Sequence, residues 1–194
     1  MKTASENLIT DLIERTRQNL NRAQQLNNLS LEILNHKSSA DNWSALECLE
    51  HLNFYGDFYL PEIENRIKTA HHSAEPNFKA GMLGDYFAKM MLPGESMKPM
   101  KTMKSANFNG GKLGKQTLEK FIEQQKKMLW LLDSARSVSL NRTKTSISIA
   151  PVIKLKLGDT FRVVIYHNER HLQQAQRAVT FARSVTYAAL EEQA

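Results

Sequence analysis

Apolar residues recur every three or four positions in four long stretches of the chain. That spacing puts them on one face of an α-helix. The first stretch runs from about Ser5 to His36. Ile9, Ile13, Thr16, Leu20, Ala23, Asn27, Ser30 and Leu34 follow the period, with Leu8, Leu12, Leu26 and Ile33 beside them. The polar members of that stripe predict a middle that is only partly buried. The second stretch opens on WSALE, where Ser44 precedes Glu47 by three positions. This is a capping box: the serine oxygen accepts an unpaired backbone N–H and the glutamate reaches back to the cap amide. Trp43 stands just before the cap, where an apolar side chain packs on the first turn. The helix should reach about Ala70, with Pro61 inside it predicting a kink or a break.

The third stretch, about Thr117 to Ser137, presents Leu118, Phe121, Ile122, Gln125, Met128, Leu129 and Leu132 on one face. The fourth starts near Asp159, after Gly158, and continues to about Leu190. Its stripe is Phe161, Val164, Ile165, Leu172, Ala175, Val179 and Ala182. Between the second and third stretches lies a long joint, residues 73 to 116, rich in Met, Gly, Pro and Lys. GMLGDYFAKMML within it reads as a short helix. A joint of that length in a compact domain tends to be functional or mobile. Residues 143 to 157, TKTSISIAPVIKLKL, alternate with period two and read as extended chain, with two short strands around Pro151.

Four helices with one apolar face each bury those faces together. The predicted fold is all-α: an antiparallel four-helix bundle with a long insertion between helices 2 and 3, which also permits a crossover. A chain of 194 residues fits a single domain, residues 1–194.

Composition adds little to this picture: 41% hydrophobic and 24% charged residues are ordinary for a globular protein. No apolar run reaches membrane-spanning length, and the N-terminus lacks the apolar centre of a secretory signal. The expected location is the cytoplasm. The single cysteine, Cys48, excludes an internal disulfide framework and a four-cysteine zinc site; it reads as a small buried apolar residue. The net charge of +6 is concentrated between Met97 and Gln116, which hold five lysines and no acid. Such a run suits solvent, an anionic small molecule or a lid. It admits nucleic acid as a partner, but aromatic residues interleaved with the lysines are missing apart from Phe108. Met97, Met100 and Met103 recur at three-residue intervals, a spacing that suits either a copper(I) loop or a methionine-lined lid. NGGKLGK lacks the spacing of a phosphate-binding loop.

The chemistry most worth weighing is in the histidines. His167 and His171 are four residues apart in VVIYHNERHLQQAQ, so both imidazoles point to one side of a helix. Alone, the pair fits two arms of a metal site or two half-exposed helix residues, and it lacks the glutamate of the zinc protease motif. A catalytic divalent ion usually takes three protein ligands. His51, two turns into the second helix among Phe54, Tyr55 and Phe58, is the candidate third; a satisfied core histidine is the other reading. His71, His72 and His36 fall at helix ends, where imidazoles complement the dipole. Glu47, Glu50, Asn168 and Gln174 are the nearby candidates to orient the ligands. No general base is assigned.

WSALECLEHL and LGDTFRVVIYHNERHLQQAQRA, in that order and more than a hundred residues apart, together resemble the DinB/YfiT-like superfamily. The resemblance implies a helical bundle with a divalent metal held by three histidines, here His51, His167 and His171. Zinc and nickel both suit imidazole. It implies a metal-dependent enzyme acting on a small molecule, either a hydrolase or a transferase of low-molecular-weight thiols such as bacillithiol, mycothiol or glutathione. The alternative is a non-catalytic, metal-binding or stress-related bundle. The expected partners are a small-molecule substrate and a second copy of the chain in a homodimer, with no membrane. The insertion departs from a lean member of that family and reshapes the pocket mouth, so the substrate does not carry over.

Overall fold

The computed structural model describes residues 1–94 and 102–191, the side chains of 151 and 187–191 excepted. In chain order the elements are β1 (Lys2–Ala4), α1 (Ser5–Leu26), α2 (Leu31–Asn35), α3 (Ala45–Lys68), β2 (Asn77–Lys79), α4 (Met82–Met91), α5 (Lys115–Ser134), β3 (Lys144–Ile147), β4 (Ala150–Lys156) and α6 (Leu157–Glu191). The chain is mainly helical, as expected.

The first predicted helix divides in two. The chain turns after Leu26, and the Ser30 hydroxyl accepts the N–H of Ile33 at 3.3 Å to start α2. A serine that bonds a nearby backbone amide favours a helix start over a helix interior. Asn27 and Ser30 therefore leave the stripe. The buried side of α1 is Leu8, Ile9, Leu12, Thr16, Asn19, Ala23 and Leu26, while Leu20 is only half-buried.

The second helix begins where its cap predicts. Ser44 accepts from Glu47 N at 3.2 Å, and the Glu47 carboxylate accepts from Ser44 N at 2.8 Å. α3 runs unbroken through Pro61 to Lys68. Asp57, whose carbonyl loses its partner to the proline, is exposed, so water can satisfy it. The third helix ends in a 3₁₀ turn, Ala135–Ser137. The extended stretch is an antiparallel hairpin with Thr145 opposite Leu155 and a register shift at Ser146/Ile147. Ile147 and Leu155 are buried. In the insertion, α4 lies where the short helix was expected. The pairing of β2 with β1, Thr3 opposite Phe78, was not foreseen.

α1 packs on α5 and α6, and α3 packs on the same two helices. The bonds between α3 and α5 advance together: Asn53 to Thr117 O at 2.9 Å, Asp57 with Lys120 at 2.7 Å, Glu64 with Lys127 at 2.9 Å. These two helices run the same way. Glu6 at the start of α1 bonds Arg136 beyond the end of α5, so that pair is antiparallel. The early part of α3 shares a core with the late part of α6, making a second antiparallel pair. The insertion is thus the crossover its length permitted, returning the chain along the bundle before α5 begins.

The core has two parts. One holds Leu8, Leu12, Ile63, Met128, Leu131 and Phe161; the other holds Ala23, Leu46, Leu49, Phe121, Leu172 and Ala175. Each long helix passes from one to the other through a polar level. There Asn168 donates to Gln125 Oε1 at 3.3 Å and Asn19 donates to the Ile165 carbonyl at 3.4 Å, all three side chains buried. The histidines of α3 and α6 sit at this same level. α4 is tied to α6 by Arg162, which bonds Asp85 at 2.8 Å and Asp159 at 3.1 Å, while Asp159 accepts Gly81 N at 2.7 Å.

Candidate metal centre

α3 brings His51 and α6 brings His167 and His171 to one place. One ligand nitrogen from each ring lies within 4.8 Å of the others. His51 Nε2 and His167 Nε2 are 3.2 Å apart. Two imidazoles on one tetrahedral ion at ordinary bond lengths stand about 3.3 Å apart. Three neutral nitrogen donors also suit zinc or nickel, so the residues present fit a divalent ion.

Two of the rings are oriented by acceptors. His51 Nδ1 lies 2.8 Å from the Ala106 carbonyl, and His171 Nδ1 lies 2.9 Å from Gln174 Oε1. A carbonyl oxygen only accepts, so Nδ1 carries the proton in each ring and Nε2 keeps its lone pair. Nε2 atoms as close as those of His51 and His167 need a proton or a cation between them. Of the four orienting candidates, only Gln174 has that role. Glu47 is spent on the cap and on Gly110 N at 2.5 Å, Glu50 accepts from Asn53, and Asn168 belongs to the polar level. Ala106, in the insertion, was missed: a backbone carbonyl has no side-chain signature.

Aromatic rings close around the cluster. Trp43 stacks on His171 with centroids 5.7 Å apart and also touches His51 at 4.9 Å. Tyr55 meets His51 and His167 edge-on, each at 5.0 Å. Loss of hydration pushes the pKa of all three histidines down. For His167 the neighbouring His171 and His51 add to it and hold it well below the ordinary range. His171 is pushed down to about 3, first by burial and then by His51, against the Gln174 bond. His51 is lowered by burial, opposed by its bond to Ala106. All three rings are neutral near pH 7, the state that ligates a metal.

The DinB superfamily profile matches residues 12–175, a span that contains all three histidines. The chain belongs to the DinB superfamily. No curated protein and no solved structure matches it.

In this DinB-superfamily chain the cluster opens on a cavity of about 840 Å³. α4, the hairpin and the insertion wall it, so the insertion does shape the pocket. Arg170 on that wall donates to the Met90 carbonyl at 3.3 Å and ties α4 to α6. Met103 lines the cavity. Met97, Met100, Lys98 and Lys101 lie outside the described residues. Of the remaining lysines in that run, Lys115 donates to the Asn27 carbonyl at 2.8 Å. Cys48 is fully buried, and burial pushes its thiol pKa up, which makes it inert packing. His36 follows α2 and touches Phe181, and His71 and His72 are exposed beyond α3. None joins the cluster. No helix among the described residues is long and apolar enough to cross a membrane.

Proposed function

We propose that this protein is a metal-dependent enzyme. In this reading His51, His167 and His171 hold a divalent ion, zinc or nickel, and the chain acts on a small molecule as a thiol S-transferase or a hydrolase. The observation that carries the reading is the convergence of three neutral imidazoles, two with their protons fixed away from the cluster, on the wall of a large cavity. A divalent ion held by uncharged ligands keeps its full charge and supplies Lewis acidity that ionises a thiol or a water near neutral pH.

The chain's own residues do the rest. Ala106 and Gln174 hold two rings in the ligating tautomer. Trp43 and Tyr55 pack on the rings and limit their rotation. Burial pushes the Tyr55 phenol pKa up, so it stays protonated and can donate to an oxygen near the cluster. A low-molecular-weight thiol is the proposed co-substrate, and the proposed setting is a cytoplasmic homodimer.

Elemental analysis of the untagged protein tests the site. About one ion per chain is expected by the stoichiometry of a three-histidine site. His51→Ala, His167→Ala and His171→Ala should each lose it, and His72→Ala should retain it. Equal loss in all four variants, or no ion in the wild type after reconstitution, would remove the metal and leave a binding bundle.

A further inference from the structure

His51, Tyr55 and Tyr59 recur every four residues on α3, and all three line the cavity. Eight helical residues span about 12 Å, so the cavity extends that far along α3 from the histidines. Its far end is Tyr59, mostly buried, whose hydroxyl oxygen accepts Ser148 N at 3.3 Å and Ser148 Oγ at 3.4 Å. Both bonds are donated by the hairpin turn. The hydroxyl's own proton has no acceptor among the described residues, and a buried donor of this kind favours an acceptor brought by a ligand. Between the two ends the wall is apolar: Phe87, Met90 and Met91 from α4, Ile147 and Leu155 from the hairpin, and Val163 from α6.

We propose that the cavity takes an elongated, mainly apolar substrate bearing a carbonyl or carboxylate oxygen about 12 Å from its reacting end, and that Tyr59 receives that oxygen. Tyr59 is then a specificity residue: it selects for length and for a distal acceptor. Ser148 is a positioning residue, since its N–H fixes the phenol. The methionines give the wall some adaptability, so the apolar body is read by its length more than by its outline. This rests on the metal-dependent reading only for which end of the substrate reacts.

Calorimetry with three probes separates the two ideas: a medium-chain fatty acid, the same acid bearing a terminal thiol, and mercaptoethanol. Both acids should bind, and Tyr59→Phe should weaken each about ten-fold, as expected for one lost hydrogen bond to a charged acceptor. Val152→Ala, exposed on the same hairpin and away from the cavity, should bind as the wild type does. Mercaptoethanol should be indifferent to Tyr59→Phe. On cobalt-substituted protein, the mercapto-acid should add a thiolate-to-cobalt absorption band. If that band is missing while Tyr59-dependent binding of both acids persists, the thiol reading falls and this proposal stands. If the acids bind no better than mercaptoethanol, or bind Tyr59→Phe as well as the wild type, the proposal is overturned.

Discussion

At the scale of single residues, the centre depends on two small acceptors. His171 keeps its proton on Nδ1 because Gln174 accepts it at 2.9 Å. Gln174→Leu removes that acceptor and leaves the ring able to turn. Metal affinity should fall by about 10- to 100-fold with the fold intact, as outer-shell changes usually do; competition against a chromogenic chelator reads it. The three lowered histidine pKa values also have a sign. Each ordinary imidazole titrates near 6.5, and here the folded values lie below that. The unfolded chain therefore binds protons first as pH falls. The metal-free protein should lose stability progressively from about pH 6.5 downward, toward the value of about 3 for His171. Denaturant unfolding at a series of pH values checks this, and His171→Asn should flatten the dependence.

At the scale of elements, Glu47 links a helix start to the insertion. Its carboxylate accepts Ser44 N and Gly110 N and lies 3.6 Å from Lys37 Nζ. Ser44→Ala should cost about 1 kcal/mol, the usual value of a cap. Glu47→Ala should cost more, about 2 kcal/mol, because one charged carboxylate holds two backbone N–H groups, those of Ser44 and Gly110. It should lower metal occupancy as well, since the released segment is the one that brings Ala106 to His51. Thermal unfolding and elemental analysis of the two variants separate the effects. This also marks what the sequence makes legible. Ser44 and Glu47 announce α3 because a cap is a local arrangement of side chains, and the stripe of α6 places both its histidines. The break after Leu26 was harder to see, since the apolar period continues across it into Ile33 and Leu34. Ala106 and the Tyr59–Ser148 contact could not be read at all. One is main chain, and the other joins residues 89 positions apart.

At the scale of the whole molecule, the parallel run of α3 and α5 makes the insertion a necessary part of the bundle's path. Its α4 is held to α6 through Arg162, which is buried between Asp85 and Asp159. Arg162→Met would leave the buried Asp159 carboxylate without its guanidinium, held only by the Gly81 N–H. Breaking such a pair costs about 3–5 kcal/mol, and the lowered midpoint should be visible in urea. Replacing Asp159 with Asn in the same chain should recover part of the loss. The polar level between the two cores belongs to this scale too. Asn19, Gln125 and Asn168 come from three helices, so their burial on one plane follows from the assembled bundle and from no single stripe.

His51 and His167 are 116 positions apart in the chain. A ribosome delivers His51 long before the last helix exists, and nothing in the first half of the polypeptide can complete the triad. If the three histidines hold an ion, it would settle only after α6 has emerged and docked. Its retention would then report that α3 and α6 have docked, and chains that stop before His167 would be left unloaded.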